Sequence, residues 1–277
     1  VPASQGIVPI GSAPSVRYHV RSAFISDVHL GTRDCRADLL LDFLRSVRMD
    51  QLVLVGDIVD LWSLRRSFYW PSAHNDVMRA ILAKAREGTR VIYVPGNHDQ
   101  EFREFAGATF GQLEVRRDLI HDSADGRRWL VLHGDEFDGV VQCSRWLAAI
   151  GSNAYDWALE LNRHFNGIRR WFGYSYWSLA GYLKHRVGNA MRYVRSFEQA
   201  VIHEAQRRGV DGVICGHIHR AAIHEQDGLT YCNDGDWVES CTALVEDRNG
   251  SMTLWNWAQM RTERAPQARA DVVGEAA

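Results

Sequence analysis

The sequence predicts a layered α/β domain with a β-rich second half, and two observations carry that reading. Short continuous apolar runs, AFIS, LVLV, VIYV, WLVL and GVIC, are each followed at once by polar or glycine-rich sequence, as strands buried on both faces would be. Helical patterns lie between several of them, and beyond His219 the rhythm shortens to runs separated by Asp-Gly and Asn-Gly turns, the mark of antiparallel hairpins.

Taken in order, residues 1–20 are small and polar and read as a tail, and AFIS is the first buried strand. ADLLLDFLRSV has apolar positions at three-to-four spacing and predicts a helix ahead of the LVLV strand. NDVMRAILAKAREG predicts a second helix that stops at Gly88, before the VIYV strand. WLVL and GVIC follow, and AAIHEQ, LTYCN, CTALVED and MTLWNW are the hairpin strands. Residues 140–197 break the rhythm. Trp146, Tyr155, Trp157, Trp171, Tyr174, Tyr176, Trp177, Tyr182 and Tyr193 recur there with helical spacing and few β-branched neighbours, which predicts a helical insertion. The core is then 21–139 and 198–260, with a second tail over 261–277.

The composition suits a soluble protein with a sizeable core: 277 residues, 46% hydrophobic and 24% charged, a balance that excludes a disordered chain. A net charge of -2 gives no global sign of nucleic-acid binding, and none is expected. The five cysteines, Cys35, Cys143, Cys215, Cys232 and Cys241, form no CxxC pair and read as reduced core thiols. No apolar run reaches the roughly 18 residues of a membrane span, and VPASQGIVPIGSAPS lacks the features of a signal peptide. The expected location is the cytoplasm.

Five predicted strand ends deliver metal-type ligands. They are SDVHLG with Asp27 and His29, VGDIVD with Asp57 and Asp60, PGNHD with Asn97, His98 and Asp99, LHGDEFD with His133 and Asp135, and CGHIHR with His217 and His219. In open α/β sheets, sites form beyond the carboxyl ends of strands, where all five fall. Within D-x-H and H-x-H, alternate residues point to one side, so each pair offers two ligands to one place. Carboxylates, imidazoles and an amide oxygen without a thiolate suit Mn²⁺, Fe²⁺ or Zn²⁺. So many ligands crowd one ion but fit two, which is the arrangement that clamps a phosphorus centre. A lone histidine beside a strand is usually structural. Five matched motifs are not explained that way, because buried ionisable groups without partners are costly to collect.

In this order, D-x-H, G-D-x-x-D, G-N-H-D, H-G-D and G-H-x-H resemble the calcineurin-like metallophosphoesterases, over about residues 21–257 apart from the insertion. The resemblance implies a double β-sheet sandwich flanked by helices. It implies two divalent ions, Mn²⁺ first and Zn²⁺ or Fe²⁺ next. Asp27, His29, Asp57 and His219 would hold one, Asp57, Asn97, His133 and His217 the other, with Asp57 as the bridge. Water activated between the ions would attack phosphorus, and His98 would protonate the departing oxygen. Asp99 either orients His98 through its other ring nitrogen or caps the turn, and Asp60 and Asp135 are partners of ligands rather than ligands.

The substrate must be read from what surrounds this centre. Between Leu161 and Phe197 there are seven basic residues, Arg163, Arg169, Arg170, Lys184, Arg186, Arg192 and Arg195, and no acidic one. Interleaved aromatics make Arg169, Arg170, Lys184, Arg186, Trp171 and Trp177 the candidate substrate contacts. They would meet lipid head groups at an anionic membrane surface, peripherally on the inner face of the cytoplasmic membrane. The competing readings are a cap whose aromatics pack on the core and a single-strand nucleic-acid platform. The insertion and NDGDWVESCTALVE are similar to the branch containing the UDP-2,3-diacylglucosamine pyrophosphatases of lipid A synthesis, in which the insertion forms a lid over acyl chains. Those enzymes typically carry arginine after the motif asparagine, where this chain has His98. A metal-dependent phospholipase C of the same branch, cleaving head groups from glycerophospholipids, fits His98 and ranks first on sequence. The pyrophosphatase, which would release UMP, ranks second. A non-catalytic scaffold ranks last, because every expected ligand is present.

Overall fold

The computed structural model describes residues 18–139 and 179–263. The chain runs β1 (Tyr18–Ile25), α1 (Ala37–Ser46), β2 (Val47–Val55), α2 (Leu61–Arg66), α3 (Ser72–Arg86), β3 (Arg90–Val94), β4 (Thr109–Phe110), β5 (Leu113–Val115), β6 (Leu119–Asp122) and β7 (Arg128–Val131). After the undescribed segment come α4 (Leu179–Arg208), β8 (Gly212–Cys215), β9 (Ala222–Gln226), β10 (Leu229–Asn233), β11 (Thr242–Glu246) and β12 (Met252–Asn256). The strands form a seven-stranded sheet, β12-β11-β1-β2-β3-β5-β4, and a five-stranded sheet, β6-β7-β8-β10-β9. Each has a parallel centre, β1-β2-β3-β5 and β7-β8-β10, with antiparallel strands at its edges.

The two-residue period of a strand decides which side chain enters which layer. Phe24, Val53, Val55, Ile92 and Val94 turn inward from the larger sheet and meet Leu119, Trp129, Val131, Ile214 and Cys232 from the smaller one. Their neighbours Ala23, Ile25, Leu52, Leu54, Val91 and Tyr93 face the other way, onto Leu40, Phe43 and Leu44 of α1 and Val77 and Ile81 of α3. On the far side of the smaller sheet, Val213, Cys215 and Tyr231 pack with Phe197, Val201, Ile202 and Ala205 of α4. The result is the expected α/β double-sheet sandwich flanked by helices. Each fully buried large apolar side chain stabilises it by about 1.5–3 kcal/mol.

α1 passes straight into β2, because the β-branched Val47 takes up extended backbone at the helix end. α3 starts at Ser72 behind Pro71, and Gly88, at φ +98°, follows its last turn as expected. α4 crosses the expected boundary between insertion and core at residue 197, since Leu179–Arg208 is one helix. Strands β4, β5 and β6 and the six-residue α2 were not expected from sequence; two to six residues are too few to show a period. Among the described residues, no helix is long and apolar enough to cross a membrane.

A buried carboxylate sits between the layers. Glu246, at the end of β11, is fully buried, accepting from Ser22 Oγ at 2.6 Å, the Ala124 N–H at 2.8 Å and the Arg21 guanidinium, with His121 Nε2 at 2.8 Å. It thereby ties β1 and β11 of one sheet to β6 of the other. Burial alone would raise the pKa of this carboxyl, but the bonds from His121, Ser22 and the Ala124 N–H outweigh it and bring the value down to about 2. A group depressed on folding contributes its stability above its unfolded pKa and loses it as pH falls toward the folded one. Urea unfolding of Glu246→Ala should show a loss of about 3–5 kcal/mol at neutral pH, shrinking between roughly pH 4.5 and pH 2.

Candidate metal centre

Five loops, after β1, β2, β3, β7 and β8, bring the polar residues together at one end of both sheets. Each turn must reverse direction within a residue or two of the strand. The consequence is visible in the backbone: Asp27, His29, Asp57, His217 and His219 all have positive φ, between 49° and 70°. Such left-handed geometry is rare for residues with a side chain and costs of order 1–3 kcal/mol each. Hydrogen bonds between loops hold it in place. The Asp27 N–H donates to Gly56 O at 3.0 Å, those of Val28 and His29 donate to Asp57 O at 3.0 and 2.9 Å, and that of Trp237 donates to Asp27 O at 3.1 Å.

Close approach fixes the glycines of the motifs. A Cβ on Gly96 would lie 2.2 Å from Asp57 Oδ1 and 2.7 Å from His133 Nε2. One on Gly56 would lie 2.2 Å from His133 Nδ1. Backbone therefore has to press directly against the functional side chains.

The sequence-derived ligands converge. One cluster is Asp27, His29 and His219 and another is Asp57, His133 and His217, each with ligand atoms within 4.8 Å of one another. Asp57 Oδ2 lies 3.4 Å from His133 Nε2 and 4.0 Å from His29 Nε2, and Asp27 Oδ1 lies 3.1 Å from His219 Nε2. Asn97 Oδ1, His29 Nε2 and His133 Nε2 are buried without a hydrogen-bond partner. Buried polar atoms are almost always satisfied, so a cluster of orphans beside two carboxylates fits divalent cations. His133 offers Nε2 because its Nδ1–H donates to Val55 O at 2.8 Å.

The electrostatics point the same way. Burial penalises charge on Asp27 and Asp57, yet the surrounding imidazoles, His219, His133 and His29 at Asp27 and His133 and His29 at Asp57, hold both below the ordinary carboxylate range. Burial likewise opposes a charged His133, but Asp57 and Asp27 push its pKa up to about 10. The site demands positive charge.

Asp60 stands behind a candidate ligand, whereas Asp99 turns to the backbone. Asp60 Oδ2 lies 3.2 Å from His29 Nδ1 and 3.0 Å from His98 Nδ1, while its Oδ1 accepts the Ser63 N–H at 2.6 Å to cap α2. One carboxylate thus orients both a candidate ligand and the candidate proton donor. Asp99 does not orient His98. Its carboxylate accepts from the backbone N–H groups of Gly96 at 2.6 Å, Ile58 at 2.7 Å, and Asp57 and Val59 at 3.3 Å, so it ties the β2 and β3 loops together. Side-chain oxygens adjacent to a tight turn capture its free N–H groups first. Asp135 pairs with Arg103 at 2.6 Å rather than with a ligand. Two contacts escaped the sequence reading. The Trp62 ring lies 4.3 Å from that of His98, and Asp138 Oδ1 lies 2.8 Å from His217 Nε2. The acidic end of LHGDEFD was a signal for the second. Arg169, Arg170, Trp171 and Trp177 lie outside the described residues, as do the side chains of Lys184 and Arg186.

With this geometry in hand, comparison with known proteins is decisive at the level of family. Residues 20–221 match the calcineurin-like phosphoesterase family. The chain belongs to that family. It is a metal-dependent phosphoester hydrolase, not a scaffold. It is similar to a UDP-2,3-diacylglucosamine hydrolase of Xanthomonas campestris pv. campestris, 29% identical over 260 residues that cover 82% of this chain and 95% of the relative. A protein of the same name from Neisseria gonorrhoeae is 27% identical over 250 residues, covering 83% and 96%. A solved archaeal phosphodiesterase aligns with a TM-score of 0.41 at 13% identity, over 84% of this chain and 98% of that one.

Gly96→Ala should disturb Asp57 and His133 together. Calorimetry with Mn²⁺ should show binding weakened by at least about tenfold, the range seen when groups behind a metal ligand are lost, with the circular dichroism spectrum unchanged.

Proposed function

We propose that this phosphoesterase hydrolyses the pyrophosphate of UDP-2,3-diacylglucosamine, releasing UMP. The observation that carries the reading is the likeness to relatives of that name along 95% and 96% of their own length. It displaces the phospholipase C reading from the first rank that His98 had given it on sequence. Asp27, His29, Asp57 and His219 would hold one divalent ion and Asp57, Asn97, His133 and His217 a second, with Mn²⁺ the first candidate for this thiolate-free donor set. Bound there, such ions neutralise phosphoryl charge and lower the pKa of water.

The chain's own residues supply the rest. His98 has Nδ1 against Asp60, which leaves Nε2, 3.9 Å from Asp57 Oδ2, as the atom that can hand a proton to the departing oxygen. Burial lowers the pKa of His98, but Asp60 and Asp57 raise it by more, which favours the protonated ring that a donor needs. Trp62 covers one face of the imidazole and limits its rotation. The insertion over 140–197, with its basic and aromatic residues, is proposed as the lipid-facing lid, and the enzyme as peripheral at an anionic membrane.

Glycerophospholipid head-group cleavage remains the second reading, favoured by His98 at the position where arginine typically stands in the pyrophosphatases. Incubation in Mn²⁺ with UDP-2,3-diacylglucosamine and, separately, with a bacterial total lipid extract decides between them by mass analysis. UMP is expected; diacylglycerol without UMP would overturn the proposal. His98→Ala should keep its metal and lose about 10²–10⁴-fold in rate. Charge reversal at Arg169, Arg170, Lys184 and Arg186 should reduce co-sedimentation with anionic vesicles and slow lipid turnover while sparing a soluble chromogenic diester.

A further inference from the structure

His217 is held from behind by the turn after β7, and that turn is held in place by α4. Its Nε2 lies 2.8 Å from Asp138 Oδ1, and the same oxygen accepts the Tyr193 hydroxyl at 2.7 Å. Asp138 is 7% exposed, in the helical turn Asp135–Gly139 that follows β7. One helical turn beyond Tyr193, Phe197 is fully buried and sets its ring 5.9 Å from that of His217. Residues four apart share a helix face, so Tyr193 and Phe197 together present one surface of α4 to this histidine. The fit is close, because a Cβ on Gly134 would lie 2.6 Å from Phe197 Cζ.

We propose that Asp138 and Tyr193 are positioning residues for the metal centre, through His217. A carboxylate holding the Nε2–H fixes the tautomer and leaves Nδ1 as the ring's remaining donor atom. The Tyr193 hydroxyl holds that carboxylate in turn, so the relay ends on α4. Metal affinity on the Asp57, His133 and His217 side is therefore linked to the docking of α4, and linkage is reciprocal: a cation there stabilises the docked helix. The inference rests on the dinuclear reading of the site, and the test separates the two.

The test is Mn²⁺ calorimetry on the full chain after chelation, for wild type, Asp138→Asn and Tyr193→Phe, with the melting temperature of each metal-free protein. Wild type should take two equivalents. Asp138→Asn should weaken one of them by about 10–100-fold and leave the other unchanged. Tyr193→Phe should weaken the same equivalent by a smaller factor, with metal-free melting temperatures as in wild type. Wild-type affinity for both equivalents in Asp138→Asn would overturn the proposal. Equal weakening of both with a lowered metal-free melting temperature would do the same, by showing a merely structural role. Wild-type affinity in Tyr193→Phe would remove α4 from the relay. Fewer than two equivalents on the wild-type chain would instead sink the dinuclear reading, and this inference with it.

Discussion

Three carboxylates share one small space at the end of the sandwich, and that crowding governs what surrounds them. Asp27, Asp57 and Asp60 are 0%, 2% and 3% exposed, so water cannot dissipate their repulsion. Like charges in a low-dielectric site stay ionised only where positive charge or hydrogen-bond donors meet them. Asp57 Oδ2 accordingly has Nε2 of three imidazoles within 4.0 Å, those of His29, His98 and His133. The backbone contributes as well, since the His98 N–H donates to Asp57 Oδ1 at 2.8 Å and the His217 N–H to Asp27 Oδ2 at 2.9 Å. Divalent cations would complete the same balance.

The two sheets divide the work. The seven-stranded sheet supplies Asp27, His29, Asp57, Asn97 and His98 from the ends of β1, β2 and β3. The five-stranded sheet supplies His133, His217 and His219 from β7 and β8. The centre therefore spans the gap between them, and the inter-sheet core of Phe24, Val53, Ile92, Trp129 and Ile214 sets that gap. Because packed cores resist small displacements, ligand spacing is inherited from the sandwich rather than from the loops. The left-handed residues make sense in this light. Strain at five candidate ligands is sustained because the strands on both sides leave the loops little freedom to relax.

The histidines separate by what stands behind them. His29 and His98 lean on Asp60, His133 on the carbonyl of Val55 and His217 on Asp138. Each brace fixes which nitrogen faces the centre. Asp60 has the widest reach, because it also caps α2, which carries Trp62 onto His98. The candidate proton donor, one candidate ligand and an aromatic neighbour thus share one anchor.

Much of this was legible in the sequence. The apolar runs announced β1, β2, β3, β7 and β8, because a strand buried on both faces must be continuously apolar. The five motifs named the polar residues that converge, because such residues directly after these strands have nowhere to go but the common end. What only the tertiary structure decided was which group faces which. Asp99 follows His98 in the chain, yet it captures backbone N–H groups from another loop, while Asp60, distant in sequence, reaches the imidazole. Asp138 is the acidic end of LHGDEFD, but its partners His217 and Tyr193 lie 79 and 55 residues away, and chain order does not choose them. Periodicity and motif order are properties of neighbours along the chain, whereas the partner of a buried charge is chosen by whatever the folded layers bring within hydrogen-bond reach.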